Sequence, residues 1–184
     1  MNLQKMFEMQ KVLDDRIIKE KGLEGQELLP NLILALQVEL AECANEWRGF
    51  KHWSNDRGPR TTHPLEVSPN GVFRKGGNPL LEEYVDCLHF ILSIGNRIGY
   101  SHENLGKWTD LTIVNQFNHL FGYASDLYKA INEDWFEEQL FDTYDEFFAG
   151  FIGLGKMLGF TPEQIEAAYM EKNAVNHQRQ QEGY

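Results

Sequence analysis

Residues 37–47, QVELAECANEW, and residues 81–90, LEEYVDCLHF, decide the reading of this chain. Each has apolar residues at helical intervals, yet each carries acids at the same spacing. Glu39, Glu42 and Glu46 stand in the first, Glu82, Glu83 and Asp86 in the second. Residues three apart on a helix project from nearly one face. Glu39 with Glu42, and Glu83 with Asp86, can therefore each present two carboxylates to one point. One such pair alone is ordinarily a solvated stripe. Here Glu39 adjoins Leu36 and Leu40, and Asp86 adjoins Val85 and Phe90, so both pairs border apolar surface. Two such helices side by side would gather four carboxylates, which repel and hold protons unless a cation intervenes. Oxygen ligands alone suit Mg²⁺ or Mn²⁺, ions that also bind substrate phosphates.

The segments around this pair read as further helices. Leu3, Met6, Phe7, Gln10, Leu13 and Ile17 recur at helical spacing, which predicts a helix over 2–19. Gly22 and Gly25 break it, and Pro30 suits the start of the next helix, which runs to about Arg48. Residues 49–78 hold Gly, Pro, Ser and Asn without a steady period, a long loop of the kind that usually carries function. Within it, SPNGVF suggests a short hairpin, because Asn-Gly favours tight turns. Helical spacing resumes over 79–98, 103–132 and 134–158. TPEQ from Thr161 then supplies an N-cap, a first-turn proline and a third-position glutamine for a last helix. With no internal repeat and no strand array, the fold class is all-α in a single domain over 1–184.

Composition narrows the function. The 184 residues suffice for one core, and 12 Phe and 4 Trp exclude a disordered acidic chain. A net charge of −11 argues against a generic nucleic-acid binder, although a polyphosphate bridged by cations remains compatible. The two cysteines, Cys43 and Cys87, form no disulfide framework and read as small buried hydrophobes. No stretch is long enough to span a bilayer and the N-terminus lacks a signal-like apolar core, so a cytoplasmic protein is expected. The six histidines show no metal-ligand spacing, and GLGKMLG at 153–159 lacks the full phosphate-loop pattern.

The paired acids, E-x-x-E followed by E-x-x-D, resemble those of the all-α nucleoside triphosphate pyrophosphatases, which include MazG-like enzymes and dimeric dUTPases. The C-terminus sharpens the resemblance. YMEKNAVNHQRQQEGY places Lys172, Asn173, Asn176, Arg179, Gln180, Gly183 and Tyr184 in the KN-xx-N-xx-RQ-xx-GY pattern of the dimeric dUTPases. Gln10 and Leu13-Asp14 echo the first-helix motif, where the family often has Asn in place of Asp14. Phe90 stands where the family stacks an aromatic on the base, and RGFKHW offers Lys51 and Trp53 as a basic-aromatic stretch.

The resemblance implies a helical bundle of the all-α NTP pyrophosphatase type, homodimeric, hydrolysing dUTP to dUMP and pyrophosphate with Mg²⁺. It makes Glu39, Glu42, Glu83 and Asp86 metal ligands, with Glu39 also positioning the attacking water. It places Lys172, Asn176, Arg179, Tyr184 and Lys51 on phosphate, and Gln10, Asp14, Phe90, Trp53 and Asn173 on the nucleoside. A dUDP substrate is compatible, and neither membrane nor nucleic acid is required. FDTYDEFFAGFIGLG, residues 141–155, could serve a dimer interface or the core. The tail at about 173–184 is expected to be mobile and to close over the triphosphate. Competing readings are a pyrophosphohydrolase for another nucleoside triphosphate and a non-catalytic helical interaction protein.

Overall fold

Helix α3, Pro79–Ile98, is the axis about which the fold is built. Asn78 caps it by accepting a hydrogen bond from the Leu81 N–H, Pro79 fills the first turn, and Gly99 ends it in the left-handed region at φ 73°. Tyr84, Cys87, Leu88, Ile91, Leu92 and Ile94 along it are fully buried. The computed structural model describes residues 1–68, 71–101, 105–133 and 136–183. Around α3 pack α1 (Leu3–Lys21), α2 (Leu29–Trp47), α5 (Glu137–Met157) and α6 (Pro162–Gln181), while α4 (Ile113–Asn132) lies against α2 and α5. The all-α expectation holds. Cys43 and Cys87 sit in the core, where burial pushes both thiols up.

The only strands among the described residues are β1 (Leu65–Ser68) and β2 (Gly71–Arg74), the antiparallel hairpin expected within the long loop. Ser68 pairs with Gly71, and residues 69–70 between them lie outside the described set. The loop is tied down at several points. Arg48, at φ 64°, donates to the Asp56 carbonyl and carboxylate, and Arg60 pairs with Glu46 at 3.0 Å. Glu82 meets both His63 and Lys75 at the hairpin's base.

One expectation is corrected. The helix predicted over 103–132 begins at Ile113, capped by Thr112. Residues 105–112 are held out of helix by Trp108, whose indole N–H donates to the Glu146 carbonyl and which lies against Gly150 and Gly153 of α5. Of the two uses open to the Phe-rich run of α5, Tyr144, Phe147, Phe148, Phe151 and Leu154 serve the core, all 0 % exposed. The tail from Asn173 through Gln181 is the last part of α6, with Asn173 buried and the His177 carbonyl held by Arg16.

Gly153 and Gly155 of GLGKMLG therefore have a packing role, and Gly159 takes the left-handed backbone at φ 86°. A Cβ at Gly153 would run into the carbonyl oxygen of Trp108, which is backbone and cannot swing aside. Gly153→Ala is expected to destabilise the fold by about 1–3 kcal/mol or more, as overpacking does. Gly122→Ala, where nothing lies within 4 Å, should gain ~0.5–1 kcal/mol from helix propensity. Urea denaturation of both variants checks the contrast.

Candidate active site

A cavity of about 390 Å³ opens between α1, α3 and α6, and Glu39 of α2 closes one end. At that end Glu39, Glu83 and Asp86 bring one carboxylate oxygen each to within 4.8 Å of one another. The phase of α2 and α3 explains the convergence. Leu36, Leu40 and Cys43 enter the core from α2, and Tyr84, Val85 and Cys87 do so from α3, leaving the acids at the seam. Glu42 is exposed and stands outside that trio, although its charge reaches Glu39 and Glu83. Lys172 of α6 places its ammonium 2.5 Å from Asp86 Oδ2.

The acids are under-compensated. Burial, reinforced by the neighbouring charges of Asp86 and Glu42, pushes the Glu39 carboxyl up to about 7. Burial, with Asp86, Glu39 and Glu42 beside it, pushes Glu83 to about 7 as well. Burial also raises Asp86, against the opposing pull of Lys172. Three crowded carboxylates with one adjacent ammonium fit an oxygen-preferring divalent cation, which would release the protons that Glu39 and Glu83 hold near neutrality.

The sign of the pH dependence follows. Both groups bind protons more tightly in the folded state than at the ordinary 4.5, so ionising them costs stability as pH rises from 4.5 to about 7. A divalent cation removes that cost. The rise in melting temperature produced by Mg²⁺ is therefore expected to grow from pH 5 to pH 7.5, by up to ~1.4 kcal/mol per pH unit for each proton displaced. Scanning calorimetry with and without Mg²⁺ measures it, and a pH-independent increment would contradict it.

The opposite end of the cavity is polar and joined by a network of side-chain hydrogen bonds. Gln10 of α1 is 3 % exposed. Its amide nitrogen donates to Asp14 Oδ1 at 2.8 Å and Ser93 Oγ at 3.0 Å, and its oxygen accepts from the Tyr169 hydroxyl at 3.1 Å. His89 Nδ1 lies 2.6 Å from the same oxygen. Burial raises Asp14 to about 6 and lowers His89 to about 3. Phe90 lines the cavity together with Leu13, Ile17 and Leu32. Asn176 and Arg179 line it from α6.

Of the residues singled out from the sequence, Gln10, Asp14, Glu39, Asp86, Phe90, Lys172, Asn176 and Arg179 thus share one cavity, with Glu83 beside it. Asn173 is buried next to it, its side-chain nitrogen without a partner among the described residues. Lys51 and Trp53 are not brought there. Trp53 is 67 % exposed, and Lys51 lies over the Phe50 ring. Tyr184 lies outside the described residues. His89, Ser93 and Arg97 were not anticipated, yet they follow Asp86 at three, seven and eleven positions, the same face of α3. Tyr169 carried no sequence signal.

An all-α bundle whose cavity joins an acid cluster to a small hydrogen-bonded polar pocket is built to handle a polyphosphate bearing a polar head group. A family model described as dUTPase matches residues 2–67 and 72–184, and the chain belongs to this all-α dUTPase family. The internal gap in the match, 68–71, falls between the paired strands β1 and β2 and takes in Ser68 and Gly71, the last pair of their register. No curated protein sequence matches the chain. The protein is accordingly a hydrolase of nucleotide metabolism, a dUTP diphosphatase acting on dUTP. The family generally needs a divalent metal, and the acidic trio is where one fits. Among the described residues no helix is long and apolar enough to cross a membrane.

Proposed function

We propose that this dUTP diphosphatase works with Mg²⁺, or Mn²⁺ in its place, held by Glu39, Glu83 and Asp86, with Glu42 at the rim. The observation that carries this is the meeting of three carboxylates from two helices within 4.8 Å at the cavity's end. A bound ion would neutralise the triphosphate and make the attacking water easier to deprotonate. Glu39, whose carboxyl titrates near neutrality, takes the proton of the attacking water and holds that water at the cavity mouth. Lys172 exchanges its contact with Asp86 for phosphate oxygens as the acids acquire their cation. Arg179 and Asn176, farther along the same helix face, hold the outer phosphates by charge-assisted and amide hydrogen bonds. Tyr184 is assigned to the same phosphates from the sequence pattern.

The base enters toward Gln10 and Asp14, with Phe90 against its face and Asn173 near the sugar. Lys51 and Trp53, outside this cavity in the single chain, are the least supported of the assigned residues. The reading extends to a homodimer. Leu34 and Val38 on the outer face of α2 are 63 % and 48 % exposed, beside an apolar groove lined by Ala41, Trp47, Phe117 and Phe121. That face is the surface this reading gives to a second copy. The reading also includes a single domain over 1–184, a C-terminal end of α6 that closes on substrate, and a cytoplasmic location, where two unpaired thiols are at home. Metal-stripped protein is expected to release no pyrophosphate from dUTP, and millimolar Mg²⁺ should restore release. Full turnover in chelator would overturn the metal assignment.

A further inference from the structure

The polar end of the cavity contains a residue for which triphosphate hydrolysis has no use. His89 is 5 % exposed, stacks on Tyr169 with ring centroids 4.4 Å apart, and sets its Nδ1 2.6 Å from Gln10 Oε1. The Gln10 amide has one sensible orientation. The Ser93 hydroxyl gives its only hydrogen to Asp14 Oδ1, so Ser93 can only accept from Gln10, and a flipped amide would set oxygen against carboxylate. Gln10 Oε1 therefore faces His89. Because a carboxamide oxygen only accepts, His89 Nδ1 carries the proton. His89 Nε2 is then a bare lone pair, buried without a partner among the described residues. An N–H stranded there would be the rarer and costlier orphan.

We infer that His89 is a positioning residue for base selection. Its Nδ1–H at 2.6 Å holds the Gln10 carbonyl, while the Tyr169 hydroxyl shares its one hydrogen between the Met6 carbonyl at 3.0 Å and Gln10 Oε1 at 3.1 Å. His89 is thus the donor that keeps the Gln10 oxygen turned this way, and both amide hydrogens of Gln10 go to Asp14 and Ser93. Asp14 Oδ1 is thereby occupied twice, and Oδ2, which has no hydrogen bond among the described residues, is left to the cavity that Asp14 lines. That oxygen is a pure acceptor. Uracil presents an N3–H donor and cytosine presents a lone pair at the same position, so one base is attracted and the other repelled. Gln10 acts through Asp14 instead of reading the base with its own amide. The inference rests on the dUTPase reading and adds to it the device that fixes the base.

The test compares kcat/KM for dUTP and dCTP in wild type, His89→Leu and His89→Asn, together with ¹⁵N imidazole spectra of the wild-type protein. Removing the Nδ1–H lets the Gln10–Asp14 pair wander, and a misplacement of this order costs at least about tenfold in selectivity. His89→Leu is expected to show that loss chiefly through a higher KM for dUTP. His89→Asn, which retains a side-chain N–H toward Gln10, should stay within about threefold of wild type. The spectra should show neutral His89 protonated at Nδ1. A folded His89→Leu with unchanged selectivity, or a wild-type imidazole protonated at Nε2, would overturn the assignment. If His89→Leu does not fold, the spectrum alone decides. Wild-type protein that fails to hydrolyse dUTP would remove the underlying reading and this one with it. A dUTP-active wild type with an insensitive ratio would remove only the role of His89.

Discussion

Glu39→Gln is expected to lower kcat for dUTP by two orders of magnitude or more while raising the stability of the metal-free protein. The two halves of that result come from one cause. Glu39 crowds Glu83 and Asp86, and its carboxyl is held up to about 7 by burial and by their charges. An amide there relieves repulsion in the metal-free fold, as removing an under-compensated buried charge commonly does. On the proposed assignment the same substitution deletes a cation ligand and the base for the attacking water, each worth about 10²-fold or more in such sites. Asp86→Asn is expected to lose comparable turnover, but without the stability gain, because it strips Lys172 of its closest carboxylate. A merely structural carboxylate would move stability and activity in the same direction. Turnover assays beside thermal melts without metal distinguish the two.

Deleting residues 178–184 should cost nearly as much, through binding. Those residues carry Arg179, which lines the cavity, and Tyr184, the end of the terminal motif. The buried residues of α6, among those described, all precede the cut. Ile165, Tyr169 and Asn173 are buried, and His177 supplies the carbonyl that Arg16 grips. Far-ultraviolet circular dichroism should therefore change little. KM for dUTP should rise by about 10²-fold, since a charge-assisted contact to phosphate contributes ~1.5–3 kcal/mol. Ordering the chain end on binding opposes that gain with its own entropic cost. Amide exchange at residues 173–183 in the full-length protein should slow when a non-hydrolysable dUTP analogue and Mg²⁺ are added. Equal exchange in both states, with the shortened protein fully active, would leave this end an ordinary helix terminus.

Much of the fold was legible because local signals agreed with the tertiary outcome. Asn78-Pro79 and Gly99 punctuate α3 at the bounds its periodicity predicts, and Thr161, Pro162 and Gln164 form the capping box that opens α6. The start of α4 was not legible. What keeps residues 105–112 from helix is Trp108 resting on two glycines some 40 residues away, a contact with no trace in local pattern. The burial of the α5 aromatics likewise depends on which helices surround them. At the site, the acids were readable because spacing on a helix fixes a common face. The convergence of Glu39 with Glu83 and Asp86 needed the packing of α2 on α3, and that packing left Glu42 at the edge. Asp14 was readable only through a resemblance from which it departs. The bonds that give it meaning come from Ser93 on α3 and, through Gln10, from His89 and Tyr169.

On the proposed reading, the acid end and the polar end of one cavity together hydrolyse a uracil nucleotide. The most direct test incubates the wild-type protein with Mg²⁺ and, separately, dUTP, dCTP, dTTP, dATP and dGTP, scoring pyrophosphate and nucleoside monophosphate. The account predicts rapid formation of dUMP and pyrophosphate from dUTP, at least about 10³-fold slower hydrolysis of dCTP as a site built on base hydrogen bonds requires, and none of either reaction in chelator. Equal hydrolysis of dCTP and dUTP, or pyrophosphate release indifferent to chelator, would contradict it.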